Sequence, residues 1–104
     1  MKNTIRLSAV LLATTVLPVA AQSDVRMGER LYQENCASCH GANLEGQLDW
    51  RSRLPNGRLP APPHDASGHT WHHPDRVLFD IVKRGPAAIV GNGYESDMPG
   101  YEDV

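Results

Sequence analysis

Two cysteines stand two residues apart in this chain, and a histidine follows the second directly: Cys36-Ala37-Ser38-Cys39-His40. Residues of these types at this spacing form the attachment signature of a c-type haem. Each thiol adds to one vinyl group of the porphyrin, giving two thioethers. The histidine next in sequence then lies under the ring and offers a ring nitrogen to the iron. A chain so equipped handles single electrons. The cofactor supplies the redox chemistry, and the chain sets its potential and access.

Other chemistries use the same residue types. A thioredoxin-like dithiol should follow a strand and open a helix, whereas the segment from Asp24 to Asn35 reads as a helix. A zinc site built on Cys-x-x-Cys usually needs a second ligand pair, and the chain has only these two cysteines. Histidines could complete such a site, with His69 and His73 the best-spaced pair. A disulfide closing so short a loop would stabilise little. Covalent haem is the reading that uses all three residues.

The N-terminus agrees with it. Lys2 and Arg6 form a short basic region, Leu7 to Leu17 is an almost unbroken apolar run of 11 residues, and Val19-Ala20-Ala21 brings small residues to a cleavage site. This pattern is a secretory signal peptide, residues 1–21, cut after Ala21. A membrane-spanning helix needs about 20 apolar residues. No cysteine follows the apolar run at the cut, which argues against a lipid anchor. Covalent haem attachment in bacteria takes place outside the cytoplasmic membrane, so an exported or periplasmic protein is expected.

Residues 22–104 are 83 in number, one small domain with little room for a core of its own. A domain this short usually needs a staple, and a covalent haem is one. Without Lys2 and Arg6 the formal charge is −4, eight basic residues against twelve acidic. That balance argues against nucleic acid as a partner and fits a docking partner with a positive rim.

These residues must be positioned by few elements. Ser23 or Asp24 can cap a helix running to about Asn35, with Val25, Leu31 and Tyr32 on its apolar face. Gly28 lies four residues before Tyr32 and shares that face. A glycine inside a helix costs stability unless something approaches it closely. Gly41 to His73 is loop-like, with Pro55, Pro60, Pro62 and Pro63 set among glycines. So long a loop is unusual inside a compact domain, unless it wraps a large rigid ligand. His73-Pro74-Asp75 starts a second helix, Val77, Leu78, Ile81 and Val82 form its buried stripe, and Gly85-Pro86 ends it. Pro86 to Val104 has no strong periodicity.

A second iron ligand has two sources. Met98 lies 58 residues after His40 in a loop fixed by Pro99, far enough along the chain to reach the opposite face of the ring. Its thioether is a soft ligand that suits iron at a raised potential. His64, His69, His72 and His73 are the competing axial ligands. Met27, close to the attachment site, reads as an ordinary core or surface residue.

The attachment motif after a helix, a proline-rich loop, a second helix and Met98-Pro99 together resemble a class I c-type cytochrome, in particular the small bacterial exported monohaem cytochromes c. The resemblance runs from Asp24 to Val104. It implies an all-α, cytochrome c-like domain of short helices and long loops around one haem c, over residues 22–104. It implies that His40 and Met98 ligate the iron, with the haem held through Cys36 and Cys39. A carbonyl between Leu59 and Pro63 would orient His40. Trp71 would pack on the haem, and Arg51 and Arg53 are candidates beside the propionates. The family closes with a further amphipathic helix that crosses the first at a glycine–aromatic contact. Gly28 and Tyr32 match one half of that contact. The chain ends at Val104, six residues after Met98, so a truncated domain with an apolar patch beside Tyr32 is expected.

The functional reading is electron transfer by one covalent haem with His/Met ligation, between an exported dehydrogenase donor and an oxidase or reductase acceptor. The alternative is a haem c subunit fixed in an exported dehydrogenase complex. A sensor or peroxidase would need an open iron position. A non-haem metal protein would use His64, His69, His72 and His73. No nucleophile or proton-transfer constellation stands out, so the chain does not read as an enzyme. Export should leave a mature protein starting at Gln22. N-terminal sequencing of the secreted protein checks this, and a retained Met1–Ala21 segment would contradict it.

Overall fold

The segment Val-Ala-Ala-Gln-Ser-Asp-Val-Arg-Met-Gly-Glu-Arg-Leu-Tyr-Gln-Glu-Asn contains one glycine and no proline among mostly good helix formers. In the computed structural model it is a single α-helix, α1 (Val19–Asn35). The structure describes residue 15 and residues 19–104. Most of the expected leader, including Lys2, Arg6 and the apolar run from Leu7 to Leu17 apart from residue 15, lies outside the described residues. Ser23 and Asp24 do not cap α1. Helix-favouring Ala20, Ala21 and Gln22 carry it back to Val19, so both residues sit inside it. At the other end the Asn35 side chain donates to the Leu31 carbonyl at 3.0 Å.

Cys36 N–H still bonds to the Tyr32 carbonyl, and the chain turns at once into α2 (Ala37–His40). Gly41, with φ of +88°, stops that turn. An extended, looping path follows to residue 69, then a 3₁₀ turn at Thr70–His72. Helix α3 (Asp75–Arg84) starts after Pro74 and ends at Gly85, where the Gly85 N–H bonds to the Ile81 carbonyl. A fourth helix, α4 (Pro86–Val90), corrects the expectation of an irregular tail. Pro86 stands in its first turn, where the missing N–H costs nothing. Among the described residues there is no strand, and no helix is long and apolar enough to cross a membrane. The all-α class, short helices joined by long loops, is the one expected.

The stripe on α3 is not buried as expected. Leu78 and Ile81 are half-buried, while Val77, Val82 and Phe79 are exposed. No hydrophobic residue among those described is fully buried. The short helices do not close face to face. Tyr101 links them instead: its N–H donates to the Val82 carbonyl on α3 and its hydroxyl to the Asn35 carbonyl on α1, both at 3.0 Å. Beside Tyr101 an apolar groove of about 340 Å³ is lined by Gly28, Leu31 and Tyr32 from α1 and by Phe79 and Val82 from α3. This is the apolar patch expected beside Tyr32.

Two glycines meet opposite conditions. A methyl group on Gly100 would lie 2.8 Å from the Lys83 carbonyl oxygen and the Arg84 carbonyl carbon. Only glycine lets the strand of chain after Met98 pass so close to the end of α3. A methyl group on Gly28 would meet no atom within 4 Å. Gly100→Ala should therefore destabilise the protein by ~1–3 kcal/mol through overpacking. Gly28→Ala should stabilise it by about 1 kcal/mol through helix propensity. Thermal melts of the two variants check the pair. A lowered melting temperature for Gly28→Ala would show that something beyond the described residues packs on that face.

Candidate functional site

The attachment segment is one helical turn. The Cys36 carbonyl accepts from the N–H of Cys39 at 3.1 Å and from that of His40 at 2.9 Å. Three-residue spacing on such a turn brings Cys36 and Cys39 to neighbouring positions. Both are free thiols, Cys36 half-buried and Cys39 exposed. Burial pushes the Cys36 thiol above its ordinary range, with a smaller contribution from Cys39, which keeps it protonated.

His40 is buried, with 7% of its surface exposed. Its Nδ1 lies 2.8 Å from the Pro62 carbonyl oxygen. A carbonyl only accepts, so Nδ1 must carry the proton and Nε2 holds the free lone pair. That is the tautomer a metal ligand needs, with the ring set by a partner behind it. The carbonyl expected between Leu59 and Pro63 is that of Pro62.

The proline loop is tied to the attachment segment by backbone bonds. Gly46 N–H donates to the His40 carbonyl at 2.7 Å, and Gln47 N–H to the Ala61 carbonyl at 2.9 Å. Ala61 N–H returns a bond to the Gln47 side chain at 2.7 Å. Tyr32 reaches over from α1 and donates its hydroxyl to the Gly41 carbonyl at 2.7 Å. Burial first, then Cys36 and Glu45, raises the Tyr32 phenol above its usual range, so it remains a donor.

His64 was expected among the competing axial ligands. It stacks on His40 instead, ring centroids 4.0 Å apart and planes 23° from parallel. Its N–H holds the Leu44 carbonyl, and its Nδ1 lies 2.7 Å from the Thr70 hydroxyl. Burial, then His40 and His69, lowers its pKa to about 4, so it is neutral at neutral pH. The sequence carried one signal of this role: His64 follows the Pro62-Pro63 pair directly.

Met98 is half-buried, and its N–H donates to the Ser96 hydroxyl at 3.1 Å. Its loop is pinned from the proline-rich segment by Arg58. One guanidinium nitrogen lies 2.5 Å from Asp97, and Nε lies 3.6 Å from Glu95. Sequence reading missed this clamp, because nothing local pairs residues nearly forty positions apart.

Trp71 is 72% exposed. Its indole N–H donates to the Gly68 carbonyl at 3.0 Å, and its ring meets His72 edge-on. Arg51 lies 4.1 Å over the Trp50 ring, and Arg53 donates to the Gly57 carbonyl at 2.7 Å. Both arginines are held by local partners. His69, His72 and His73 gather around the 3₁₀ turn rather than on His40.

The donor set fits a covalently held haem. Two thiols lie on one turn, next to a buried imidazole already fixed in the ligating tautomer. Leu44, Leu54 and Leu59 stay partly exposed, at 37–40%, and a large apolar ring could pack against such side chains.

Comparison with known proteins agrees. The family model described as "Cytochrome C oxidase, cbb3-type, subunit III" matches residues 23–103. The chain is similar to "Cytochrome c-555" of Prosthecochloris aestuarii, 31% identical over 70 residues, covering 62% of this chain and 71% of that protein. It is also similar to the "Cytochrome bc1 complex cytochrome c subunit" of Mycobacterium tuberculosis, 46% identical over 46 residues. That match covers 41% of this chain and only 16% of the mycobacterial protein. No solved structure matches significantly. With the family match running over almost all the described residues, the chain belongs to the cytochrome c family, in the group described by the cbb3-type subunit III model.

Proposed function

We propose that this chain is an exported electron-transfer protein carrying one haem c, attached through Cys36 and Cys39 and ligated by His40 and Met98. The observation that carries the reading is the buried His40 ring, whose proton is fixed on Nδ1 by the Pro62 carbonyl. When bound, the haem supplies one-electron Fe(III)/Fe(II) cycling. The chain's own residues do the rest. Cys36 and Cys39 hold the ring covalently on one helical turn. Pro62 and the stacked His64 keep the His40 imidazole from rotating, which preserves its basicity toward a metal. Arg58, gripping Asp97 and Glu95, limits the wandering of the loop that offers the Met98 sulfur. Trp71, with its N–H already satisfied by Gly68, has an indole face free to cover a ring edge.

With His40 and Met98 both holding the iron, no position would be left for a substrate, and the chain would act as a carrier rather than an enzyme. The mature chain, 22–104 after removal of 1–21, carries a formal charge of −4. That charge suits exported dehydrogenase, oxidase or reductase partners with basic docking rims.

A second reading, a haem c domain fixed in a larger redox complex, draws support from the subunit names of the matching family and of the mycobacterial relative. Copurification of the native protein with one stoichiometric partner separates it from the free carrier.

The ligand set is tested by the absorption spectrum of the ferric protein. A weak far-red band from sulfur ligation should be present in the wild type and absent in Met98→Ala, which should also bind carbon monoxide rapidly once reduced. A band unchanged in that variant, or no band in the wild type, would overturn Met98 as a ligand.

A further inference from the structure

Three of the chain's five histidines converge outside the site described above. His69, His72 and His73 each bring one ring nitrogen to a common spot, all within 4.8 Å of one another. His69 Nδ1 and His73 Nε2 are already 3.2 Å apart, with ring planes near perpendicular. The ring centroids of His72 and His73 lie 4.7 Å apart, those of His69 and His72 5.8 Å.

The local sequence forces this arrangement. Thr70–His72 is a 3₁₀ turn, and positions three apart in such a turn eclipse one another. His69 and His72 therefore share a side. Pro74 excludes helical backbone at the residue before it, and His73 is extended, φ −87° and ψ 136°. That swing returns the His73 ring toward His69.

Two of the rings also have an aromatic neighbour. Trp50 tilts against His69 at 5.7 Å and Trp71 meets His72 at 5.0 Å. Trp71 is itself tied back to the Gly68 carbonyl.

We propose that His69, His72 and His73 form a surface binding site for a divalent transition-metal ion of the zinc class, separate from the haem. Imidazole donors favour zinc, copper and nickel over calcium and magnesium. With metal–nitrogen bonds of ~2.0–2.1 Å, two ligands of a tetrahedral ion stand roughly 3.3 Å apart. The His69–His73 pair has that spacing, and His72 needs only a small ring movement to join it. His69 and His72 are exposed and His73 is half-buried, so an ion can enter from solvent. Three protein ligands leave the fourth tetrahedral position to water or to an exchangeable group. His64, the fourth histidine of this region, is occupied by His40 and Thr70 and takes no part. The proposal does not rest on the haem reading.

The test uses tag-free protein as secreted, stripped with chelator and titrated calorimetrically with zinc chloride. One zinc per chain is expected, no heat with calcium, and an affinity loss of roughly tenfold or more in His69→Ala and in His73→Ala. Copper(II) bound at the same site should give an electron paramagnetic resonance spectrum with nitrogen couplings, lost in the double variant. Unchanged far-ultraviolet circular dichroism and melting temperature show that the variants remain folded. Absence of zinc binding by the wild type, or equally tight binding by the double variant, would overturn the site.

Discussion

The Pro62 carbonyl can only accept a hydrogen bond, so His40 must donate one, and much of this molecule is arranged around that contact. The bond joins two parts of the chain that have no helical link: the turn bearing Cys36 and Cys39, and the proline-rich loop 22 residues later. It leaves Nε2 of a buried imidazole with its lone pair free. It also sets the position of His64, which follows two residues after Pro62 and stacks on His40. His64 in turn holds Thr70, and through Thr70 the 3₁₀ turn and the start of α3. The loop is thus organised by directional polar contacts, with Pro60 and Pro63 buried among them. The reciprocal bonds between Gln47 and Ala61 follow the same logic.

This explains how a chain with no fully buried hydrophobic residue among those described still defines one arrangement of its loops. Hydrogen bonds give modest net stability but fix geometry well. What they cannot supply is the large favourable term of apolar burial. A ring attached at Cys36 and Cys39 would add it, offering an apolar surface to leucines that now stand partly exposed. The groove between α1 and α3 is a different surface. It is held open by Tyr101, which spans the two helices by two hydrogen bonds. Close backbone packing of Gly100 on α3 then brings the segment after Met98 back to the helix end.

The parts of the fold legible in the sequence are those set by local chemistry. Cys36, Cys39 and His40 announce their turn by spacing, and Pro74 and Gly85 bound α3 by their backbone restrictions. The start of α1 was misplaced at Ser23 or Asp24, because a possible cap was given more weight than helix formers on both sides of it. The α3 stripe was expected to be buried, since periodicity reports a face and not what covers it. α4 is too short for any period to reveal. The contacts that complete the site are long-range. Pro62 rather than a neighbour bonds His40, His64 stacks on it, and Arg58 reaches Asp97. Each depends on the path of an irregular loop, which no residue pattern encodes. The histidine triplet lies between these cases. His69 and His73 were visible as a spaced pair, but His72 joins them only through the 3₁₀ geometry.

The central claim is that Cys36 and Cys39 carry a haem covalently on the turn that ends in His40. Intact mass spectrometry of the secreted protein, made with haem-maturation machinery, tests it most directly. The account requires the mass of one haem added to each chain, retained through acid–acetone extraction and lost in a Cys36→Ala, Cys39→Ala double variant. An unmodified chain, or haem that leaves on extraction, would contradict it.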